Sequence, residues 1–477
     1  MPSASLKTLL RELSKEPRAA KSRYAFWWIV ILVGTLYLGY FADRTQSAPL
    51  FSALALLFLA YFFLCRLAKT GFSIKGLLLL AVVVRVALLF STPTLSDDVF
   101  RFLWDGRLAA TGINPFAFTP REIVMGSGPN GFVPSGQLYH LLNSPDYHTI
   151  YPPVCQAVFA FAGAFFPKNI VPGIVVIRLA ILAAEFRTLV LLKRLLAHYQ
   201  LPCWLIVLYA LNPLIIIELT GNLHFEAVMI AFLLEALWRW HRSQIKLSAL
   251  FFGFAVATKL LPLIFLPLLL RRLPFKQLTA YYGIVFAGTV LLLAPLLSEA
   301  FLAGFSESFS LYFQTFEFNA SIYYIVRQIG YWVTGYNIIA FAGKLMAALT
   351  FCSIMAYALL AGKKDARIEN NMLWVWFLYL LFALTVHPWY ITPLIAFCLF
   401  TPFRFPLVWS GLAFVTYAGY SADGYTEALG LVAAEYLIVF AVAIYEIARF
   451  RRLKSPSHPQ GGIDAKAEKR NIQEKAD

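Results

Sequence analysis

Charge is what this chain has least of. Only 14% of its 477 residues are Asp, Glu, Lys or Arg, against about a quarter in an ordinary soluble domain. Hydrophobic residues make up 60%, and the mean hydropathy is +0.69. These proportions exclude a soluble enzyme, a disordered chain and a secreted disulfide scaffold. Cysteine is sparse too: Cys65, Cys155, Cys203, Cys352 and Cys398 are scattered, mostly in apolar runs, without metal-type spacing. They read as small core residues. No internal repeat stands out, and no small-residue cleavage site follows the first apolar stretch. The segment from Tyr24 therefore reads as a signal-anchor-like span rather than a removable leader.

What charge there is has one dominant sign. Forty Lys and Arg against 25 Asp and Glu give a formal net charge of +15. A nucleic-acid partner is the obvious inference, and the placement of the charge argues against it. The basic residues fall in short connectors: Lys7, Arg11, Lys15, Arg18, Lys21, Arg23; Lys193, Arg194; Arg239, Arg242, Lys246; Arg271, Arg272, Lys276; Lys363, Lys364, Arg367; Arg449, Arg451, Arg452, Lys454. Cytoplasmic loops of membrane proteins retain positive charge, so the pattern reads as topology.

A span takes roughly 20 largely apolar residues. Apolar runs near 24–41, 48–66, 74–92, 172–192, 203–219, 223–240, 246–258, 260–270, 277–297, 337–360, 371–386, 388–401, 405–420 and 427–448 predict an all-α polytopic transmembrane bundle of about 12–14 spans. The run 153–167 is read as dipping into the membrane without crossing. The division expected is a cytoplasmic segment 1–23, a transmembrane domain 24–448 and a cytoplasmic tail 449–477. Both termini then lie in the cytoplasm, and two long segments, 93–152 and 298–336, lie outside. Their Pro, Gly, Asn and aromatic content suggests ordered structure at the membrane surface.

The first outer segment carries a helix-start signature at Ser96-Asp97-Asp98, with two acids suited to the positive end of a helix. Phe100, Leu103, Trp104 and Leu108 follow at helical spacing, which predicts an interfacial helix. Asp97–Arg101 and Arg101–Asp105 are spaced as i,i+4 ion pairs. In one reading the acids only cap and pair. In the other, a carboxylate on an outer loop serves as general base. Spacing alone leaves both open.

Ser96-Asp-Asp-Val-Phe-Arg-Phe-Leu-Trp-Asp-Gly-Arg107, followed by Gly112-Ile-Asn-Pro-Phe116, resembles the first outer loop of GT-C glycosyltransferases. The resemblance is nearest to bacterial polyprenyl-phosphate-mannose-dependent mannosyltransferases. Tyr151-Pro152-Pro153, Asn212-Pro213 with Gly221-Asn222-Leu223-His224-Phe225-Glu226, Thr258-Lys259-Leu260-Leu261-Pro262, Asn319-Ala320-Ser321-Ile322-Tyr323 and His387-Pro388-Trp389-Tyr390 fit it in the same order. One departure is that Gly221-Asn-Leu-His-Phe-Glu226 stands where relatives carry a Gly-His-Asn-Asp kind of run. The resemblance implies a GT-C-like fold in the bacterial inner membrane. It implies an inverting transfer of a hexose, mannose by the nearest relatives, from a polyprenyl-phosphate donor to a lipid-linked glycan acceptor. The relatives' base stands three residues before an Arg or His and four before an aromatic. Asp98, with Arg101 and Phe102, meets that spacing, and Asp97 is the second choice.

Such a donor is already activated, so one base and several cations suffice and no cofactor is called for. Candidate donor contacts are Arg101, Arg107, Lys259, Arg327, His387, Tyr151 and Tyr323. Lys259 is the sharpest, because it interrupts an apolar stretch where a charge is costly unless used or paired. Asn222, His224, Glu226 and Asn319 are candidate acceptor or sugar contacts, or else local turn stiffeners. Asn319, Tyr323 and Arg327 are spaced as one helix face. Asp97-Asp98 suits a divalent cation in charge, but no further outer carboxylate except Glu226 completes a site, so no metal is expected. The partners expected are donor, acceptor and membrane lipids, with a monomeric protein. A lipid-linked oligosaccharide flippase is the alternative from another class, and a glycan polymerase or ligase a third. Soluble nucleotide-sugar use fits poorly, since no Gly-rich phosphate loop on a βαβ unit is present.

Overall fold

The computed structural model describes residues 18–127, 135–299, 301, 302, 304, 316–361 and 366–454. The expected cytoplasmic tail beyond 454, residues 1–17 of the N-terminal segment, and Lys363 and Lys364 lie outside the described residues. Within them the fold is helical, with one two-stranded hairpin.

The first three helices are α1 (Arg18–Tyr40), α2 (Ser47–Lys69) and α3 (Ile74–Ala87). Leu, Ala, Val and Phe fill them, side chains that an apolar surrounding accepts, and the helix satisfies its own backbone hydrogen bonds there. The chain leaves α3 through Leu88–Ser91 and enters α4 (Asp98–Ala110). Beyond Tyr151 come α5 (Pro153–Phe165) and the long α6 (Ile170–His198). A pair of short helices, Cys203–Ala210 and Ile215–Gly221, is bent by 58°. Then follow α7 (Glu226–His241), α8 (Ile245–Thr258), a tight 3-10 segment Leu261–Leu269, and α9 (Phe275–Leu293). The last third holds α10 (Ile322–Thr334), α11 (Ile339–Ala356), α12 (Ile368–Phe382), α13 (Thr392–Cys398), α14 (Phe405–Leu412), strands β1 (Tyr420–Ser421) and β2 (Gly424–Tyr425), and α15 (Leu429–Lys454).

Among the described residues, four helices are long and apolar enough to cross a membrane: Ser47–Lys69, Phe275–Leu296, Ile339–Leu360 and Leu429–Leu453. The bent pair makes a fifth if it counts as one span. The chain is thus a multi-pass membrane protein. The difference from the 12–14 apolar runs has a physical origin. Pro262 and Pro267 tighten the run 260–270, Pro388 and Pro393 break 388–401, and α6 carries Arg178 and Glu185. These helices are short or charged, and protein rather than lipid surrounds much of them.

Two buried charge clusters inside the bundle are compensated, which lowers the cost of burying them. Arg85 of α3 meets Glu185 of α6 at 2.9 Å, both fully buried. The same guanidinium donates to the carbonyls of Ala81 and Ala210, and Tyr209 donates to Glu185 at 2.7 Å. One turn and more away, Arg178 donates to four carbonyls: Leu89, Ser91, Thr220 and Gly221. It thereby satisfies the ends of two interrupted helices and fixes the chain a few residues before Asp97.

The apolar face of α4 lies in the core, and burial extends to its polar face as well. Residues Val99 to Leu108 are buried all round, because the ambiguous run 153–167 folds as α5 and covers the other face. The two helices touch backbone to backbone. A Cβ on Gly106 would sit 2.0 Å from the Phe159 carbonyl oxygen, and one on Gly163 would sit 2.2 Å from that of Gly106. Small residues permit this approach.

Candidate active site

Asp97 precedes the first turn of α4, but its carboxylate caps nothing. It pairs instead with Arg44, from the loop joining α1 and α2, at 2.5 Å. The expected Asp97–Arg101 pair is therefore replaced. Arg101 points down the helix to Asp105 at 2.8 Å, the i,i+4 pair that was foreseen, and also donates to the carbonyls of Ser144 and Tyr147. Gln156 of α5 ties Asp105 to Thr149. This network holds residues 143–151 against α4.

Among the described residues, no cation lies at hydrogen-bond distance from the Asp98 carboxylate. Its two oxygens accept from the Asn143 amide at 3.0 Å and the Tyr151 hydroxyl at 3.2 Å. Burial, with the Asp98 charge beside it, holds the Tyr151 phenol well above its ordinary range. Tyr151 therefore stays protonated and is a standing donor.

Lys259 follows α8 and pairs with Glu226, the first residue of α7, at 3.2 Å; the two side chains are 19% and 1% exposed. Its ammonium lies 5.5 Å from the Tyr151 ring centre. Burial pulls the ammonium down, but the Glu226 carboxylate outweighs that and its pKa lies above the ordinary value. Lys259 is thus charged.

The turn Gly221–Phe225 places Leu223, fully buried, in the left-handed region with φ of +66°, strain that a side chain rarely accepts. The turn aims His224 under Trp389, ring centres 3.5 Å apart, while His387 covers the other face of Trp389 at 4.3 Å. Below His224, Glu218 accepts from Asn222 at 3.1 Å and Tyr417 at 2.9 Å. Burial outweighs the attraction of Asp98 and lowers the His387 imidazole to about 3, so it is neutral near pH 7.

These groups surround a cavity of about 810 Å³. Of the residues expected from sequence, it brings together Asp97, Asp98, Arg101, Tyr151, Lys259 and His387. Glu226, His224 and Asn222 stand behind its wall and act on residues that line it. Arg107 does not line it: the side chain is buried, and its Nε and Nη2 have no hydrogen-bond partner among the described residues. Asn319 does not share a helix face with Tyr323 and Arg327, since α10 begins at Ile322. It sits in a left-handed turn, φ of +47°, with its amide near Val386 and Glu435. Tyr323 and Arg327 both bind Glu317, and it is Glu317 that reaches the cavity.

The cavity also holds residues that sequence reasoning missed, among them Arg44, Asn143, Tyr417, Tyr420 and Tyr425. Arg44 left one signal: it is a lone Arg just past the first span, at the end where basic residues are otherwise scarce. The tyrosines come from the hairpin and the segment before it, and a single Gly424 with φ of +118° closes that turn. Among the described residues, no three His, Cys, Asp or Glu side chains converge as a metal site.

The cavity can therefore offer a carboxylate held by two neutral donors, a charged lysine, and a wall of aromatic rings and hydroxyls. Such a surface suits a sugar whose leaving group is anionic. A family model described as "Alpha-(1->6)-mannopyranosyltransferase, N-terminal domain" matches residues 31–273. Alpha-(1->6)-mannopyranosyltransferase B of Corynebacterium glutamicum is 27% identical over 154 residues, 31% of this chain and 24% of that protein. Alpha-(1->6)-mannopyranosyltransferase A of Mycobacterium tuberculosis is 27% identical over 191 residues, 39% of this chain and 34% of that protein. The match thus spans about a quarter to a third of the length of these curated relatives. No solved structure matches.

Proposed function

The chain belongs to the alpha-(1->6)-mannopyranosyltransferase family, and from that premise we propose that it is an inverting mannosyltransferase of the bacterial plasma membrane. The donor in this reading is polyprenyl-phosphate mannose, and the acceptor is a hydroxyl of a lipid-linked glycan outside the cytoplasm. Asp98 takes the acceptor proton. The acceptor oxygen attacks the anomeric carbon from behind, and the bond from that carbon to the phosphate oxygen breaks. The lipid phosphate leaves with the electron pair and is stabilised by Lys259.

The observation that carries this reading is the asymmetry of the acid doublet. Asp97 is spent on Arg44, whereas Asp98 faces the cavity and, among the described residues, is held by Asn143 and Tyr151. Two donors fix its orientation and leave lone pairs for a third hydrogen bond, that of an acceptor hydroxyl. A positioned base supplies roughly 10²–10⁴-fold; orientation and charge stabilisation supply the rest. Because the phosphate is already a leaving group, this scheme uses no cofactor.

The basic residues support an extracytoplasmic cavity. Arg66 and Lys69 end α2, and Arg239 ends α7. Those ends, opposite to the cavity, are then cytoplasmic, and the cavity opens outside. The test is transfer of labelled mannose from polyprenyl-phosphate mannose by the purified full chain in lipid, with a membrane-lipid extract as acceptor. Wild type is expected to yield a labelled lipid-linked product, and Asp98→Asn to lose it while still accumulating in the membrane. Full transfer by Asp98→Asn would refute the mechanism. Transbilayer movement of lipid-linked sugar without any bond change would favour a flippase instead.

A further inference from the structure

The Arg44–Asp97 ion pair borders the same cavity, yet the transfer step as written gives it no task. We propose that Arg44 is a positioning residue: by pairing with Asp97 it assigns the role of acceptor-facing carboxylate to Asp98. The inference rests on the reading of Asp98 as general base and names what makes that residue, rather than its neighbour, fit for the part.

Two adjacent carboxylates in a half-buried site oppose each other's ionisation unless one is compensated. Arg44 compensates Asp97, with its Nη2 at 2.5 Å from Oδ2. It is itself held from three sides. Its Nη1 donates to the Leu95 carbonyl at 3.4 Å, and its guanidinium lies 4.7 Å from the centre of the Tyr420 ring in β1. The loop after α1, the entry to α4 and the hairpin thus meet at one side chain. A planar fork that both binds a carboxylate and stacks on an aromatic ring is an arginine's task, and a lysine performs it only in part. The consequence is mechanical as well as electrostatic: Asp97 is drawn toward Arg44, and Asp98 is left to Asn143 and Tyr151.

Other charged and titratable groups also face the acid pair, and they stay in place when Arg44 is changed. They are Arg101 on α4 itself, Tyr151 ahead of α5, Glu218 in the bent pair, Lys259 after α8, His387 ahead of α13, Tyr417 before the hairpin and Tyr420 within it. Removing Arg44 alone therefore adds one uncompensated negative charge next to the base.

The experiment is the pH profile of kcat/KM for the full chain in lipid, with polyprenyl-phosphate mannose as donor and a membrane-lipid extract as acceptor. Arg44→Gln is expected to move the acid limb to higher pH by on the order of one unit, and Arg44→Lys to move it by less. Asp97→Asn, which leaves Arg44 uncompensated, moves it to lower pH. The double variant Arg44→Gln/Asp97→Asn brings it back toward wild type, a cancellation that loss of packing would not produce. An acid limb unmoved in Arg44→Gln, or a double variant no closer to wild type than the single, overturns the assignment. Should Arg44→Gln fail to accumulate, Asp97→Asn reads the same coupling from the other side. Asp98→Asn separates the two levels: retained transfer there removes the base itself, whereas lost transfer with an unmoved limb in Arg44→Gln removes only the role of Arg44.

Discussion

The contact between α4 and α5 sets where Asp98 sits, and one methyl group tests it. In Gly106→Ala the new Cβ would lie 2.0 Å from the Phe159 carbonyl oxygen and 2.6 Å from its carbon, backbone atoms with no rotamer to yield. Ordinary contact begins near 3.4 Å, so the helices must part by more than about 1 Å, at a cost on the order of 1–3 kcal/mol. Alanine favours a helix over glycine by at most about 1 kcal/mol, too little to offset that. Asp98 lies two turns up the same helix, and a shift of about 1 Å in a reacting group can cost on the order of 10²-fold in rate. The expected outcome is a lower melting temperature in lipid nanodiscs together with a loss in kcat of up to about 10²-fold. Gly283→Ala, on α9 with nothing within 4 Å of its Cβ, is the control and should match wild type. A Gly106→Ala protein that melts and turns over like wild type would refute the claim that this contact positions the site.

Three further outcomes follow from the cavity wall. Lys259→Met strands the buried Glu226 carboxylate and should destabilise the protein by about 3–5 kcal/mol in thermal unfolding. Lys259→Met/Glu226→Gln should recover most of that stability without recovering transfer, which separates the lysine's role toward the phosphate from its structural pairing. For His387, burial lowers the imidazole to about 3 from an unfolded value of 6.5, so below pH 6.5 the unfolded chain binds a proton that the folded one refuses. The stability this neutral imidazole supports is present above pH 6.5 and lost as pH falls from 6.5 toward 3. A His387→Asn variant should show a shallower loss of melting temperature across that window than wild type.

Much of the site was legible because its chemistry comes in short runs. Asp97-Asp98 with Arg101 and Phe102, Lys259 in an apolar stretch, and Glu226 and His224 in one turn all announced themselves locally. What could not be read was which of them meet. Arg44 lies 53 residues from Asp97, so no local pattern joins the two. Asn319 matched a helical spacing by number alone, since the helix begins after it at Ile322. The spacing within α4 did not show that its polar face is buried too. Its polar residues Arg101, Asp105 and Arg107 are buried along with its apolar ones, because α5 and residues 143–151 close over them. Helix membership was legible in the long spans of Leu, Ala and Phe, and least so where Pro or an internal charge cut a run short.

Arg178 has a consequence for how the molecule is made. Its four carbonyl partners are Leu89 and Ser91, synthesised long before it, and Thr220 and Gly221, synthesised some 40 residues after it. While α6 is passing into the bilayer, half of that cradle does not yet exist, and an unshared guanidinium is costly in hydrocarbon. Glu185 differs: its ion partner Arg85 precedes it, and only its Tyr209 hydrogen bond comes from later in the chain. A chain ending before Thr220 therefore leaves half of the Arg178 cradle unmade, and the bent pair is what completes it.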